Sequence, residues 1–111
     1  MTANYVLIER ITVGAAGASS VTFNNIPQTG YTDLKVVGSV RGSASGNFVL
    51  AYQFNGSTTG YTGKDVEGSG SSAASSTNTT IGSYGRLTGA YIDGASQTAN
   101  TFSSFDWYIP N

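Results

Sequence analysis

The sequence predicts an all-β chain, an antiparallel β-sandwich or jelly roll of about seven short strands. Three observations carry that expectation. The apolar clusters are short and rich in Val, Ile, Phe and Tyr. Gly, Ser, Asn or Pro bounds almost every one of them. No long Gly-free stretch has the apolar spacing of an amphipathic helix. With 111 residues the chain fits a single β-sandwich domain over 1–111, with one modest core.

Taken in order, the first expected strand is Tyr5–Val13, with Tyr5, Leu7, Ile11 and Val13 on one face. Glu9 interrupts that face, and Val6 and Ile8 point the other way. A strand apolar on both sides belongs between layers or subunits. Gly14–Ala18 is a turn, and Ser20–Ile26 returns with Val21 and Phe23 inward. Pro27 ends it, because proline cannot continue an interior ladder. Asp33–Arg41 has the clearest alternation, with Leu34, Val36, Gly38 and Val40 inward and Lys35, Ser39 and Arg41 outward. Val37 is its exception. Phe48–Phe54 repeats the pattern through Phe48, Leu50, Tyr52 and Phe54, and Asn55-Gly56 then supplies a strong hairpin signal. Gly68–Thr80 is nearly all Ser, Thr, Gly, Ala and Asn and reads as a long exposed loop. Leu87–Asp93, a turn at Asp93-Gly94, and the aromatic Thr101–Ile109 complete the series.

What is missing narrows the chemistry. Without Cys there is no disulfide, thiolate nucleophile or sulfur metal site. Without His there is no side chain that ordinarily titrates near neutrality, and no catalytic triad that needs one. These absences, with few paired acids, argue against an enzyme; no cofactor and no metal are expected. The five cations are scattered at Arg10, Lys35, Arg41, Lys64 and Arg86, and the net charge is -1, so no field attracts nucleic acid. No apolar run is long enough for a membrane helix, and Met1–Val13, holding Glu9 and Arg10, does not read as a signal peptide. The expectation is a protein made in a cytoplasm, with no nucleic-acid or membrane partner.

Few residues invite a site. Asp65 and Glu67, at i and i+2 of a presumed strand end, could share a proton or a calcium ion, or be a solvated edge beside Lys64. Asp93-Gly94 lacks the further oxygen ligands of a metal loop and reads as a turn. No Gly-rich phosphate motif opens a helix. Tyr61, Tyr84 and Tyr91 lie near turns and form a candidate exposed ligand surface, where tyrosines could stack on sugar rings. Tyrosine is equally at home in strands and interfaces. Trp107, in an aromatic strand, reads as core or interface.

Three stretches go further. YVLIERITV (Tyr5–Val13), ASSVTFNNIPQTGYTDLKVVGSVRG (Ala18–Gly42) and TFSSFDWYIPN (Thr101–Asn111) resemble, in their order and spacing, small virion structural proteins of tailed bacteriophages, especially aquatic ones. The resemblance covers both ends; the middle shares only composition. Gly30 is inserted where relatives run Gln-Thr-Tyr directly, and relatives look as though they continue with further strands past Ile109-Pro110-Asn111. What the resemblance implies is a β-sandwich module on capsid surfaces or tail appendages, possessing no catalytic residues.

The expected function is therefore a capsid decoration or cement protein that bridges capsid subunits. A receptor- or carbohydrate-binding module of a tail fibre or head spike is the alternative. Expected partners are the major capsid protein or other virion proteins, further copies of the chain (a trimer above all), and in the alternative a host glycan. The interface would comprise Tyr5, Val6, Leu7 and Ile8 with Phe102, Phe105, Trp107, Tyr108 and Ile109. A surface of so few charges, 10% of residues against about 25% in ordinary soluble domains, needs little desolvation at such contacts.

Overall fold

The structure is a computed structural model that describes residues 4–46, 48–78 and 84–110. Among these the chain is all-β: six strands and no helix. They are β1 (Leu34–Val40), β2 (Phe48–Tyr52), β3 (Gly63–Ser69), β4 (Ser72–Asn78), β5 (Gly85–Ile92) and β6 (Ser103–Ile109). They pair as three two-stranded sheets, β1–β6, β2–β5 and β3–β4, the last two antiparallel. Two compact units divide the chain, Met1–Val36 with Trp107–Asn111, and Val37–Asp106.

β1 and β6 follow their sequence pattern. Leu34, Val36, Gly38 and Val40 are half-buried while Lys35, Val37 and Ser39 face water. Ser103, Phe105, Trp107 and Ile109 are half-buried while Ser104, Asp106 and Tyr108 are exposed. A two-residue period on each strand therefore sets apart an apolar side and a wet side. β2 pairs with β5 as Phe48↔Ile92 and Val49↔Tyr91, then slips to Ala51↔Arg86 and Tyr52↔Gly85. The slip leaves extra residues on β5, an irregularity that interrupts the ladder.

Three expectations are overturned by the backbone. Tyr5–Val13 and Ser20–Ile26 are not strands: the described part of the chain before Leu34 contains none. An extended run becomes a strand only when a neighbour supplies its ladder, and among the described residues no segment supplies one. The Gly68–Thr80 stretch is no loop over its described part, because 72–78 are β4, paired through Gly63↔Asn78 to Ser69↔Ser72; Thr79 and Thr80 lie outside the described residues. The connection is a two-residue turn, Gly70-Ser71, with Gly70 at φ 60, the first central position where a primed hairpin turn requires a positive value. Asp93-Gly94 is not a hairpin turn either, since β5 and β6 pair with different partners and 93–102 is a longer loop between them.

Asn55-Gly56 is a turn as expected, both residues having positive φ (50 and 68) and Ser57 N–H donating to Phe54 O at 2.8 Å. It does not join two paired strands, because β2 and β3 belong to different sheets. Tyr61 closes the loop instead. Its hydroxyl accepts from Phe54 N–H at 2.8 Å and donates to Ser57 O at 3.2 Å, and its ring meets Tyr52 edge-on.

Among the residues whose side chains are described, no hydrophobic side chain is buried. Aromatic rings instead lie over glycines. A Cβ on Gly38 would run into the Phe105 ring, one on Gly85 into Tyr52, and one on Gly42 into Phe48 at 2.6 Å. A ring laid across a neighbouring glycine covers backbone that would otherwise be bare.

Candidate interaction surface

The expected interface residues fall into two groups. Tyr5 (67% exposed), Val6 and Leu7 (69%) are bare, and Ile8 is half-buried. On and beside β6, Phe102 and Tyr108 are exposed while Phe105, Trp107 and Ile109 are half-buried. Ile11, Val13, Val21, Phe23 and Ile26 are exposed as well. From Tyr5 to Ile26 the chain is thus an apolar double segment. Its turn is closed by Gly17 N–H on Gly14 O at 2.9 Å, with Gly17 at φ 75. The returning limb touches the outgoing one where Asn25 N–H donates to Glu9 Oε2 at 3.4 Å.

Tyr5 is tied down at one point. The Lys35 ammonium lies 5.5 Å from the centre of its ring, a cation–π contact on the wet side of β1. Beside it the Tyr108 hydroxyl donates to the Asp33 carboxylate. That bond, then burial and the Asp33 and Tyr5 charges, raises the Tyr108 pKa above its ordinary value.

The three tyrosines of the expected ligand surface differ in setting. Tyr61 is half-buried with its hydroxyl engaged twice, Tyr84 is half-buried at the start of β5, and Tyr91 is exposed within β5. Asp65 and Glu67 share the half-buried side of β3, and Asp65 Oδ1 accepts from Ser76 Oγ at 2.5 Å on β4. Val66, between them, is 84% exposed, so the hydrophobic residue faces out and the acids face in. Inward charge at a strand is a known guard against edge-to-edge pairing. Among the described residues no cluster of acidic side chains could hold a metal ion.

A polar knot that the sequence did not announce holds 41–46 against 93–101. Arg41, expected outward, is half-buried. Its Nη1 donates to Thr98 O and Thr101 O, each at 2.8 Å, and its Nη2 to Gln97 O at 3.0 Å. Gly42 N–H donates to Asp93 O at 2.7 Å, Ala95 N–H to Ala44 O at 2.8 Å, and Gly46 N–H to Ser96 Oγ at 3.1 Å. Gly94 is buried, and a Cβ there would strike Gly46 O. Its sequence signal is a glycine-bordered arginine facing a Ser/Thr/Gln-rich loop, which looks like any solvated turn. Compared with known proteins, the chain matches no family model, no curated protein and no solved structure.

Proposed function

We propose that this chain is a structural module of a bacteriophage virion, most simply a capsid decoration or cement protein that bridges capsid subunits. The observation that carries this is a run of exposed apolar side chains, Tyr5 to Leu7, Ile11, Val13, Val21, Phe23 and Ile26, on a chain with few charges. Such a surface suits permanent burial against protein rather than turnover of a substrate. The resemblance of its two ends to phage structural proteins supplies the setting: a product of the host cytoplasm that ends on the particle. In that setting the paired sheets become layers of a β-sandwich or jelly roll, and a trimer matches a lattice point. Many weak contacts on one lattice add to firm attachment.

Purified protein mixed with bare capsids should saturate them at hundreds of copies per particle, on the order expected of a lattice-wide binding mode. Deletion of residues 1–8 should abolish that binding while the circular dichroism stays β-rich. Saturation by the truncated protein would remove that segment from the interface.

A receptor- or glycan-binding appendage is the second reading. Tyr91, exposed in β5, and the Ser/Thr hydroxyls of β4 favour it, whereas the doubly engaged Tyr61 hydroxyl does not. A hit on a glycan array that is lost in Tyr91→Ala, with no binding to capsids, would put it first.

A further inference from the structure

We infer that Asn55-Gly56 is a self-modifying site: the Asn55 side chain closes on the next backbone nitrogen, and the isoaspartate that results opens the turn that Tyr61 holds shut. The inference goes beyond the virion reading and does not rest on it.

Asn55 is the one asparagine of the sequence that is followed by glycine. Ring closure needs a backbone N–H that can give up its proton, no Cβ in the line of approach, and water around both groups. Gly56 meets all three conditions. Its N–H makes no hydrogen bond among the described residues. The place of a Cβ is open space, and both Asn55 and Gly56 are exposed. Two chemically similar sites fail. Asp93-Gly94 would pass through the same ring, but Gly94 is buried, with Gly46 O where a Cβ would lie. The Asp93 backbone is also held on both sides, its N–H donating to Ser103 Oγ at 2.9 Å and its carbonyl accepting from Gly42 N–H. Asn100 shares a positive φ (64) with Asn55, but Thr101 follows it, with a branched Cβ and an N–H engaged on Thr98 O at 3.3 Å.

The step balances with water alone. The Gly56 nitrogen loses its proton to solvent base and bonds to Asn55 Cγ. The Cγ–Nδ2 bond breaks, and ammonia leaves with a proton from solvent. Water then adds to one of the two ring carbonyls, and that carbonyl's bond to the Gly56 nitrogen breaks. Addition at Cγ gives aspartate; addition at the Asn55 backbone carbonyl gives isoaspartate, whose main chain runs through Cβ and Cγ. The second route puts one more carbon into the turn between Phe54 O and Ser57 N–H, which are bonded at 2.8 Å. Tyr61 depends on the same spacing, because its hydroxyl accepts from Phe54 N–H and donates to Ser57 O. A longer backbone between Phe54 and Ser57 pulls those two partners apart.

The test holds the full-length protein at mildly alkaline pH in water enriched in heavy oxygen, then digests and mass-maps it. Heavy oxygen should enter at position 55 severalfold faster than at Asn24, Asn25 or Asn100, with isoaspartate in excess of aspartate, and Asp93 should show no isoaspartate. Asn55→Gln, which would need a larger ring, should stop incorporation at that position. The isoaspartate form, isolated by chromatography, should melt below the parent. Asn55→Asp adds the charge without lengthening the backbone and should melt close to the parent. An amide at 55 that lasts as long as those at 24, 25 and 100, or isoaspartate at Asp93 forming as fast as at 55, overturns the site. An isoaspartate form as stable as the parent overturns the opening of the turn. Capsid binding enters none of these measurements, so their failure leaves the virion reading where it stands.

Discussion

Tyr108 shows how one side chain ties this chain's stability to pH. Its folded pKa lies above the ordinary value, chiefly because its O–H donates to Asp33. A raised folded pKa means that the folded state holds the proton more tightly than the unfolded state does. The resulting stability is complete below about pH 10, the ordinary tyrosine value, and disappears as pH climbs through the raised one. Tyr108→Phe should therefore unfold at lower denaturant than the parent at neutral pH, and the gap should close in alkali. A gap of constant size would show that the Asp33 bond contributes nothing. Gly38, Gly42 and Gly85 act at the same scale but through emptiness: each leaves room for a ring that a side chain would displace. Gly38 stood in the sequence as an inward residue of an alternating strand, and an inward glycine announces close approach. The ring that approaches, Phe105, is far off in the chain, so no local pattern could name it.

Elements were legible in proportion to the contrast between their two sides. β1 and β6 alternate large apolar with polar residues, and both were found within two residues of their true ends. The β3–β4 hairpin was not found, because Ser, Thr, Ala and Gly fit either side of a sheet and give no period to read. Its turn, Gly70-Ser71, was hidden among identical neighbours. Tyr5–Val13 failed for the opposite reason: its side chains suit a strand, but a ladder needs a partner that side chains do not encode. The hairpin offers a clean comparison of two glycines. Gly70 has φ 60, so Gly70→Ala should cost about 1 kcal/mol, the usual penalty for a Cβ in the left-handed region. Gly68 has open space for a Cβ and no positive φ, so Gly68→Ala should leave stability equal or slightly raised. Paired thermal melts of the two variants decide it; equal losses would mean the turn is not what fixes this register.

For the molecule as a whole, composition foretold few charges but not that the described apolar side chains would all stay exposed or half-buried. Counting apolar residues says how much could be buried, not whether one chain can bury it alone. Valines, isoleucines and aromatics sufficient for a modest core are present, and those with described side chains are exposed or half-buried, some of the rings laid over glycines. Of the residues expected at an interface, Tyr5, Leu7 and Phe102 are exposed. If copies of the chain cover them, the apparent melting temperature should climb with protein concentration, as mass action requires of a folded oligomer in equilibrium with unfolded monomers. A midpoint independent of concentration would mean that each chain is stable alone. The grip on Arg41 differs in kind from these apolar contacts, since its partners are uncharged oxygens. Carbonyl dipoles present dissolved ions with no opposing charge to mask, so the 93–101 loop should keep its form from dilute buffer to strong brine.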